Sequence, residues 1–284
     1  MQGTPVLAIC APMYREAAIV PEFVERTRRA GAATGLPFVV YVADDASPDG
    51  TLAALQAAVD AWPQGSPGRL QPVPLARNAG QLGATLAALR AALDAGAEHI
   101  VVLDGDLQDP PETIPALVAA ACADPAVAAV FAVKASRRDA LWMRLGVVGY
   151  RWILRGLGSS APPAGAGAFC VLGPALAARL VALPPQQANL APLVAALADG
   201  PLATVPYDKA ERYDGPSRVG VLGLAREAWG SWALAGAAER GAALVAMAMG
   251  ALGVTAESAS MALAALVPAV VAVAARRRRR AAGL

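Results

Sequence analysis

Asp104, Asp106, Gln108 and Asp109 fall within six positions of the segment HIVVLDGDLQDPPE, His99–Glu112. Three carboxylates and an amide in so short a run either mark a loop turning back from a sheet or hold a hard divalent cation and whatever that cation holds. In extended backbone Asp104 and Asp106 share a face about 6.6 Å apart. Oxygens on one Mg2+ each sit about 2.1 Å from it. The segment must therefore turn, and Gly105 permits that. Asp106 lies past the strand and is free to bind the ion with Asp104, while Gln108 can add a neutral oxygen. One of the acids could instead stand behind the ligands or touch what the ion holds. Asp109 has a competing use. Followed by Pro110, and by Glu112 three residues on, it fits a helix cap with its reciprocal partner.

The acids follow Ile100–Leu103, an apolar run that reads as a buried strand. Comparable strands are expected over Pro5–Pro12, over PFVVYVADD ending at Asp44 and Asp45, more weakly over LQPVP, and over AVAAVFAV. Between them lie helical patterns. One stops near Gly31, one has Pro48 at its first position, one ends at Gly96, and one follows Asp109. Strands alternating with helices of this length predict an α/β fold with a mostly parallel central sheet flanked by helices. Each polar cluster falls where a strand ends: Tyr14 and Glu16, then Asp44, Asp45 and Ser47, then Arg77 and Asn78, then the acids after His99. In open α/β sheets that edge is where ligands bind. Taken singly, Ser47, Asp49 and Gly50 are ordinary turn formers and Arg77 an ordinary surface arginine.

The chain has 284 residues, 56% of them hydrophobic, and a net charge of +2, which argues against nucleic acid as a partner. Much of the hydrophobic content is alanine, so a mean hydropathy of +0.46 does not by itself make a membrane protein. Cys10, Cys122 and Cys170 follow no metal spacing and read as small buried hydrophobes in a reducing compartment. His99 is the one histidine, and its place ahead of a strand is structural. No secretory signal is expected, because the start lacks basic residues and meets Pro12 early. Further along, a helix is expected over 140–158, a flexible loop over SSAPPAGAGAF, a strand over PLATVPY followed by a basic loop, and an amphipathic helix over 219–240. Two apolar stretches then lie within 241–284, each shorter than the roughly 20 residues that span a bilayer. Together they predict a short helical hairpin attached to a membrane. The run Arg276–Arg280 favours an anionic, cytoplasmic leaflet.

The segments VLAICAPMYREAA, YVADDASPDGT, LARNAGQLGA and VVLDGDLQDPPE, in that order, resemble the family 2 glycosyltransferases of GT-A fold. Within them the chain is most similar to the polyprenyl-phosphate hexosyltransferases, such as dolichyl-phosphate mannose and glucose synthases. The likeness spans roughly 6–220. It implies a Rossmann-like GT-A domain over 1–218, the juxtamembrane helix 219–240 and the hairpin 241–284. It implies a nucleotide-sugar donor, UDP- or GDP-linked, bordered by Pro12, Tyr14, Glu16 and Arg77, with Glu16 on the ribose. Asp44 or Asp45 would accept a hydrogen bond from the base. Asp104, Gly105 and Asp106 would face the donor, with Asp104, Asp106 and Gln108 on Mg2+ or Mn2+. Arg212, Ser217 and Arg218 would close over phosphates, Asp106 and Arg212 serving the chemical step. The implied reaction is inverting transfer of a hexose to a polyprenyl phosphate at the cytoplasmic membrane face, with membrane lipid and a second copy of the chain as partners.

One departure bears on the acceptor. Where that branch carries an Asp before Phe and Arg, GAGAFCVLG places Ala168, Phe169 and Cys170. Loss of a general base costs about 10²- to 10⁴-fold. A phosphate monoester, with a second pKa of about 6, needs little such help. Ala168 thus fits a phosphate acceptor or reduced activity, with Asp139 and Asp214 as alternative bases. Two other readings stand beside this one: a soluble glycosyltransferase with another acceptor, and a non-catalytic relative that binds sugar nucleotide or a membrane partner.

Overall fold

The computed structural model describes residues 7–134, 162–183 and 189–207. Arg212, Ser217, Arg218, Asp139, Asp214, the helix expected over 140–158, the helix 219–240 and the hairpin 241–284 lie outside those residues. Among the described residues, no helix is long and apolar enough to cross a membrane.

The described strands are β1 (Leu7–Met13), β2 (Phe38–Asp44), β3 (Gly68–Pro74), β4 (His99–Val102), β5 (Ala129–Lys134), β6 (Ala166–Leu172) and β7 (Leu202–Tyr207). They form one sheet in the order β3-β2-β1-β4-β6-β5-β7. β3, β2, β1 and β4 run parallel, as do β5 and β7, whereas β6 is antiparallel to both its neighbours. β1 and β2 are buried along their whole lengths. Strands covered on both faces need no polar alternation, which is why LAICAPM and FVVYVAD read as continuous apolar runs. Each edge strand carries proline, Pro72 and Pro74 in β3 and Pro206 in β7, which removes ladder donors that another chain could pair with.

The helices are α1 (Val20–Ala33), α2 (Thr51–Asp60), α3 (Gly80–Asp94), α4 (Ile114–Ala123), α5 (Pro174–Val181) and α6 (Leu190–Leu197). One face of β1, through Leu7, Ile9, Ala11 and Met13, shares a core with Phe23 of α1, Leu55 of α2 and Leu117 of α4. α3 packs on β1 and β2 and touches α5, which in turn touches α6. α3 ends as expected, with Gly96 at φ +77 returning its N–H to the Leu93 carbonyl.

Several boundaries differ from expectation. α1 runs through Gly31, because that glycine is a packing residue and not a stop. A Cβ there would lie 2.6 Å from Cε2 of the buried Phe38 ring. α2 begins at Thr51, leaving Pro48 in the preceding loop. The glycine-rich stretch expected as loop becomes β6 from Ala166 onward. Its hydrogen bonds to β4 and β5 come from distant sequence, a tertiary cause that no local pattern carries. Cys10 and Cys170 are buried as expected, but Cys122 is exposed, its Sγ 3.5 Å from His99 Nε2.

Candidate active site

The register aligns Met13 of β1 with Asp44 of β2 and Cys10 of β1 with Val102 of β4. The carboxyl ends of these three parallel strands therefore open on one edge, and a cleft of about 450 Å³ lies there. Pro12, Tyr14, Glu16, Asp45, Asn78, Gln81, Asp104, Gly105 and Asp106 are on its wall. Clusters from four separate loops thus meet in one place.

The β1–α1 loop is braced by the β2–α2 loop. The N–H of Arg15 donates to Ser47 Oγ (3.1 Å), that of Glu16 to Thr51 Oγ1 (3.0 Å), and that of Ala17 to Asp49 Oδ2 (3.4 Å). Thr51 Oγ1 in turn donates to Asp49 Oδ1 at 2.5 Å. Ser47, Asp49 and Thr51 therefore do more than turn their own loop. They fix the segment that carries Tyr14 and Glu16. Tyr14 is 41% exposed on the cleft wall, with the Arg15 guanidinium 5.2 Å from its ring centroid.

Asp45 is buried and works on α3. Its Oδ1 accepts from the Ala79 N–H (2.6 Å) and its Oδ2 from the Gly80 N–H (2.9 Å). It thus satisfies orphan donors at the start of that helix from 34 residues upstream in sequence. Asn78 adds a bond from Nδ2 to the Asp45 carbonyl at 3.3 Å. Asp44 is buried beneath, off the cleft wall, and its Oδ1 has no partner among the described residues. Arg77 is exposed and is not on the cleft wall, where Asn78 stands instead.

The acidic turn after β4 sits at the other side of the cleft. Asp104 and Asp106 are half-buried. Asp104 Oδ1 accepts from Gln81 Nε2 at 2.7 Å. Asp106 takes the Gln108 N–H on Oδ1 (3.1 Å) and Gln108 Nε2 on Oδ2 (2.7 Å). Gln108 is not on the cleft wall, and its Nε2 orients Asp106. Gly105 is required for a reason other than turning. A Cβ there would lie 2.7 Å from both the Pro12 carbonyl oxygen and Met13 Cγ. The left-handed residue of the turn is Leu107, at φ 59. Arg15 (φ 60) and Ala46 (φ 53) are the other non-glycine residues of this kind among those described, so each of these three cleft-side loops holds one. Such backbone costs about 1–2 kcal/mol per residue and persists where surrounding bonds over-determine it.

Neither Asp109 nor Glu112 caps a helix. Pro110 takes the cap position of the short 3-10 turn Pro111–Thr113, and no side chain bonds there. Asp109 is buried and accepts from the Tyr207 hydroxyl at 2.6 Å. Burial pushes the Tyr207 phenol up, and the Asp109 carboxylate, with Asp104 and Asp106 beyond it, pushes it further, so it remains a donor. Glu112 instead makes a two-bond pair with Arg26 of α1, at 2.8 and 2.7 Å, which holds its carboxyl below the usual range. Tyr207 and Gln81 carried no sequence signal of their own. Gln81 stood in the LARNAGQLGA segment but only its place in the fold points it at Asp104.

The Glycosyl transferase family 2 profile matches residues 8–162, more than half of the chain. The chain belongs to glycosyltransferase family 2. This transferase is 36% identical over 139 residues to the undecaprenyl-phosphate 4-deoxy-4-formamido-L-arabinose transferase of Pseudomonas aeruginosa, across 49% of its own length and 38% of the relative's. It is 34% identical over 138 residues to the protein of the same name in Klebsiella pneumoniae, across 49% and 39%. The match thus spans well under half the length of these relatives. Among solved structures, the transferase is similar to the mannosyltransferase PcManGT of Pyrobaculum calidifontis in complex with GDP-Man and Mn2+. The TM-score is 0.57 at 22% identity, over 99% of this chain and 83% of that one. It is also similar to glucosyl-3-phosphoglycerate synthase of Mycobacterium tuberculosis in complex with UDP, with a TM-score of 0.54 at 18% identity over 82% and 80%. These likenesses establish the GT-A fold, and the order β3-β2-β1-β4-β6-β5-β7 is how this chain builds it.

Proposed function

We propose that this transferase moves a hexose from a UDP- or GDP-sugar to a polyprenyl phosphate at the cytoplasmic face of a membrane, with inversion, using Mg2+ or Mn2+. The observation that carries this is the meeting of Asp104 and Asp106 with Tyr14, Glu16 and Asp45 around one cleft at the carboxyl edge of the parallel strands. Support for the acceptor comes from the relatives, which are named for undecaprenyl phosphate. Support for donor and cation comes from fold neighbours solved with GDP-Man and Mn2+ and with UDP-Glc and Mn2+.

The donor set fits a hard cation. Asp104 and Asp106 offer carboxylate oxygens at an open cleft, and no larger group of metal-binding side chains exists among the described residues. A divalent ion held by one or two carboxylates, with substrate phosphates and water completing its shell, is the usual form of a Mg2+ site. When bound, such an ion supplies charge neutralisation to a departing nucleoside diphosphate.

The chain's own groups do the rest. Gln81 and Gln108 hold the two carboxylates at fixed angles. Tyr14 gives a flat exposed surface for a nucleobase, and Asp45, on the cleft wall, is the carboxylate assigned to the base. Glu16 is the group for the ribose. Beyond the described residues, Arg212, Ser217 and Arg218 are assigned to the phosphates. The β4–β6 register pairs Val102 with Cys170, so Ala168 falls two residues on, at the sheet edge where Asp104 lies. With no carboxylate at position 168, an acceptor that arrives already ionised is favoured over one that needs a base from Asp139 or Asp214. A phosphate monoester meets that condition, being mostly dianionic at neutral pH.

Incubation of the protein with a polyprenyl phosphate and a panel of labelled sugar nucleotides tests the proposal. Lipid-linked product is expected with Mn2+ or Mg2+, and none from Asp106→Ala. Transfer retained by Asp106→Ala, or product only on a water-soluble acceptor, overturns it.

A further inference from the structure

Gln81 is an exposed residue in the first turn of α3, yet its amide is committed: Nε2 donates to Asp104 Oδ1 at 2.7 Å. Its backbone is committed too. The two residues before it give their N–H groups to Asp45, and its own carbonyl accepts from Thr85 Oγ1 at 2.8 Å. Asp45 follows β2 and Asp104 follows β4, and β1 lies between those strands. Residues 79–81 therefore form a strut across the cleft, clamped at one end to Asp45 and touching Asp104 at the other. A hydrogen bond between two solvent-facing side chains adds little to folding. What it does is hold one oxygen of the half-buried Asp104 carboxylate in a set direction at the cleft.

We infer that Gln81 is a positioning residue for the divalent cation, presetting the Asp104 carboxylate from the fixed start of α3. This rests on the proposal that Asp104 and Asp106 hold such an ion. Groups that orient a metal ligand without touching the metal are worth about 10- to 100-fold in metal affinity.

The test is direct Mn2+ binding to the purified full chain, read from the loss of the free-ion electron paramagnetic resonance signal, with no sugar nucleotide and no turnover. Gln81→Met keeps the length of the side chain and removes the donor. Gln81→Asn keeps the amide but withdraws it by one methylene. Both are expected to weaken Mn2+ binding about 10- to 100-fold while leaving the urea midpoint of unfolding unchanged. Asp104→Asn is expected to abolish measurable binding. If Asp104→Asn weakens binding and both Gln81 variants match the parent, Gln81 has no positioning role although the cation assignment stands. If Gln81→Met weakens binding and Gln81→Asn does not, the amide acts by polarity alone and positioning is refuted. Unaltered binding in Asp104→Asn refutes the cation assignment itself, and the Gln81 role with it.

Discussion

Replacing Tyr207 by Phe deletes a single oxygen from the interior. The hydroxyl donates at 2.6 Å to Asp109, which is 3% exposed, and the ring packs edge-on against Phe169 at a centroid distance of 5.9 Å. The ring contact survives the substitution, so the loss is confined to a hydrogen bond to a buried carboxylate. Bonds to charged groups contribute about 1.5–3 kcal/mol. For a fold of this size each kcal/mol moves Tm by about 2–4 °C, so a loss near 2 kcal/mol lowers Tm by about 4–8 °C. Urea denaturation is the assay. The midpoint should fall with the slope unchanged, since no apolar surface is newly exposed. Asp109→Asn keeps an acceptor but not the charge, and in a double-mutant cycle with Tyr207→Phe the two effects should not add. A shift below about 0.5 kcal/mol, or full additivity, refutes the claim that this bond ties the acidic turn to the end of β7.

Gly31→Ala should destabilise by about 1–3 kcal/mol, because its new methyl meets the Phe38 ring; an unchanged urea midpoint would refute the packing role of this glycine. Burial raises the thiols of Cys10 and Cys170 above their ordinary value of 9.0. Their stabilisation is complete below that value and is lost as pH climbs past it, because the unfolded chain then sheds protons that the folded chain keeps. Each should cost up to about 1.4 kcal/mol per pH unit, and Cys10→Ala should flatten the alkaline limb of a Tm–pH curve. Glu112 is held low by its bonds to Arg26, so it contributes above its ordinary value of 4.5 and ceases to as pH falls through its lowered value. Glu112→Gln should therefore lower Tm at pH 7 and have no effect in strong acid.

Much of the parallel half of the sheet was legible because β1, β2 and β4 are covered on both faces and so appear as apolar runs ending in acids. The cluster of acids was legible for the same reason, since strand ends in a parallel sheet share an edge. The antiparallel strand was not: β5 and β7 lie where strands were expected, but β6 begins in the glycine- and alanine-rich stretch Ala166–Ala168, and its place is set by pairing with distant strands. Within the site, local pattern misassigned Asp109 and Glu112 as a cap, since a capping spacing does not reveal that Tyr207 and Arg26 compete for those carboxylates. It cited Gly105 for turning, where the close approach of the Pro12 carbonyl is what forbids a side chain. It left Asp44 and Asp45 equivalent, although only Asp45 reaches both the cleft and the start of α3. Gln81 and Tyr207 act across 23 and 98 residues of sequence, beyond the range of any spacing rule.

The central claim is that Asp104 and Asp106 hold the divalent ion that meets the donor's diphosphate. Crystals soaked with Mn2+ and a UDP- or GDP-sugar, with anomalous diffraction collected at the manganese edge, test it most directly. The predicted result is one strong peak within bonding distance of a carboxylate oxygen of Asp104 or Asp106 and of the diphosphate. A peak elsewhere, with Gln81 and Gln108 still bonded to both carboxylates and the diphosphate distant from them, would contradict it.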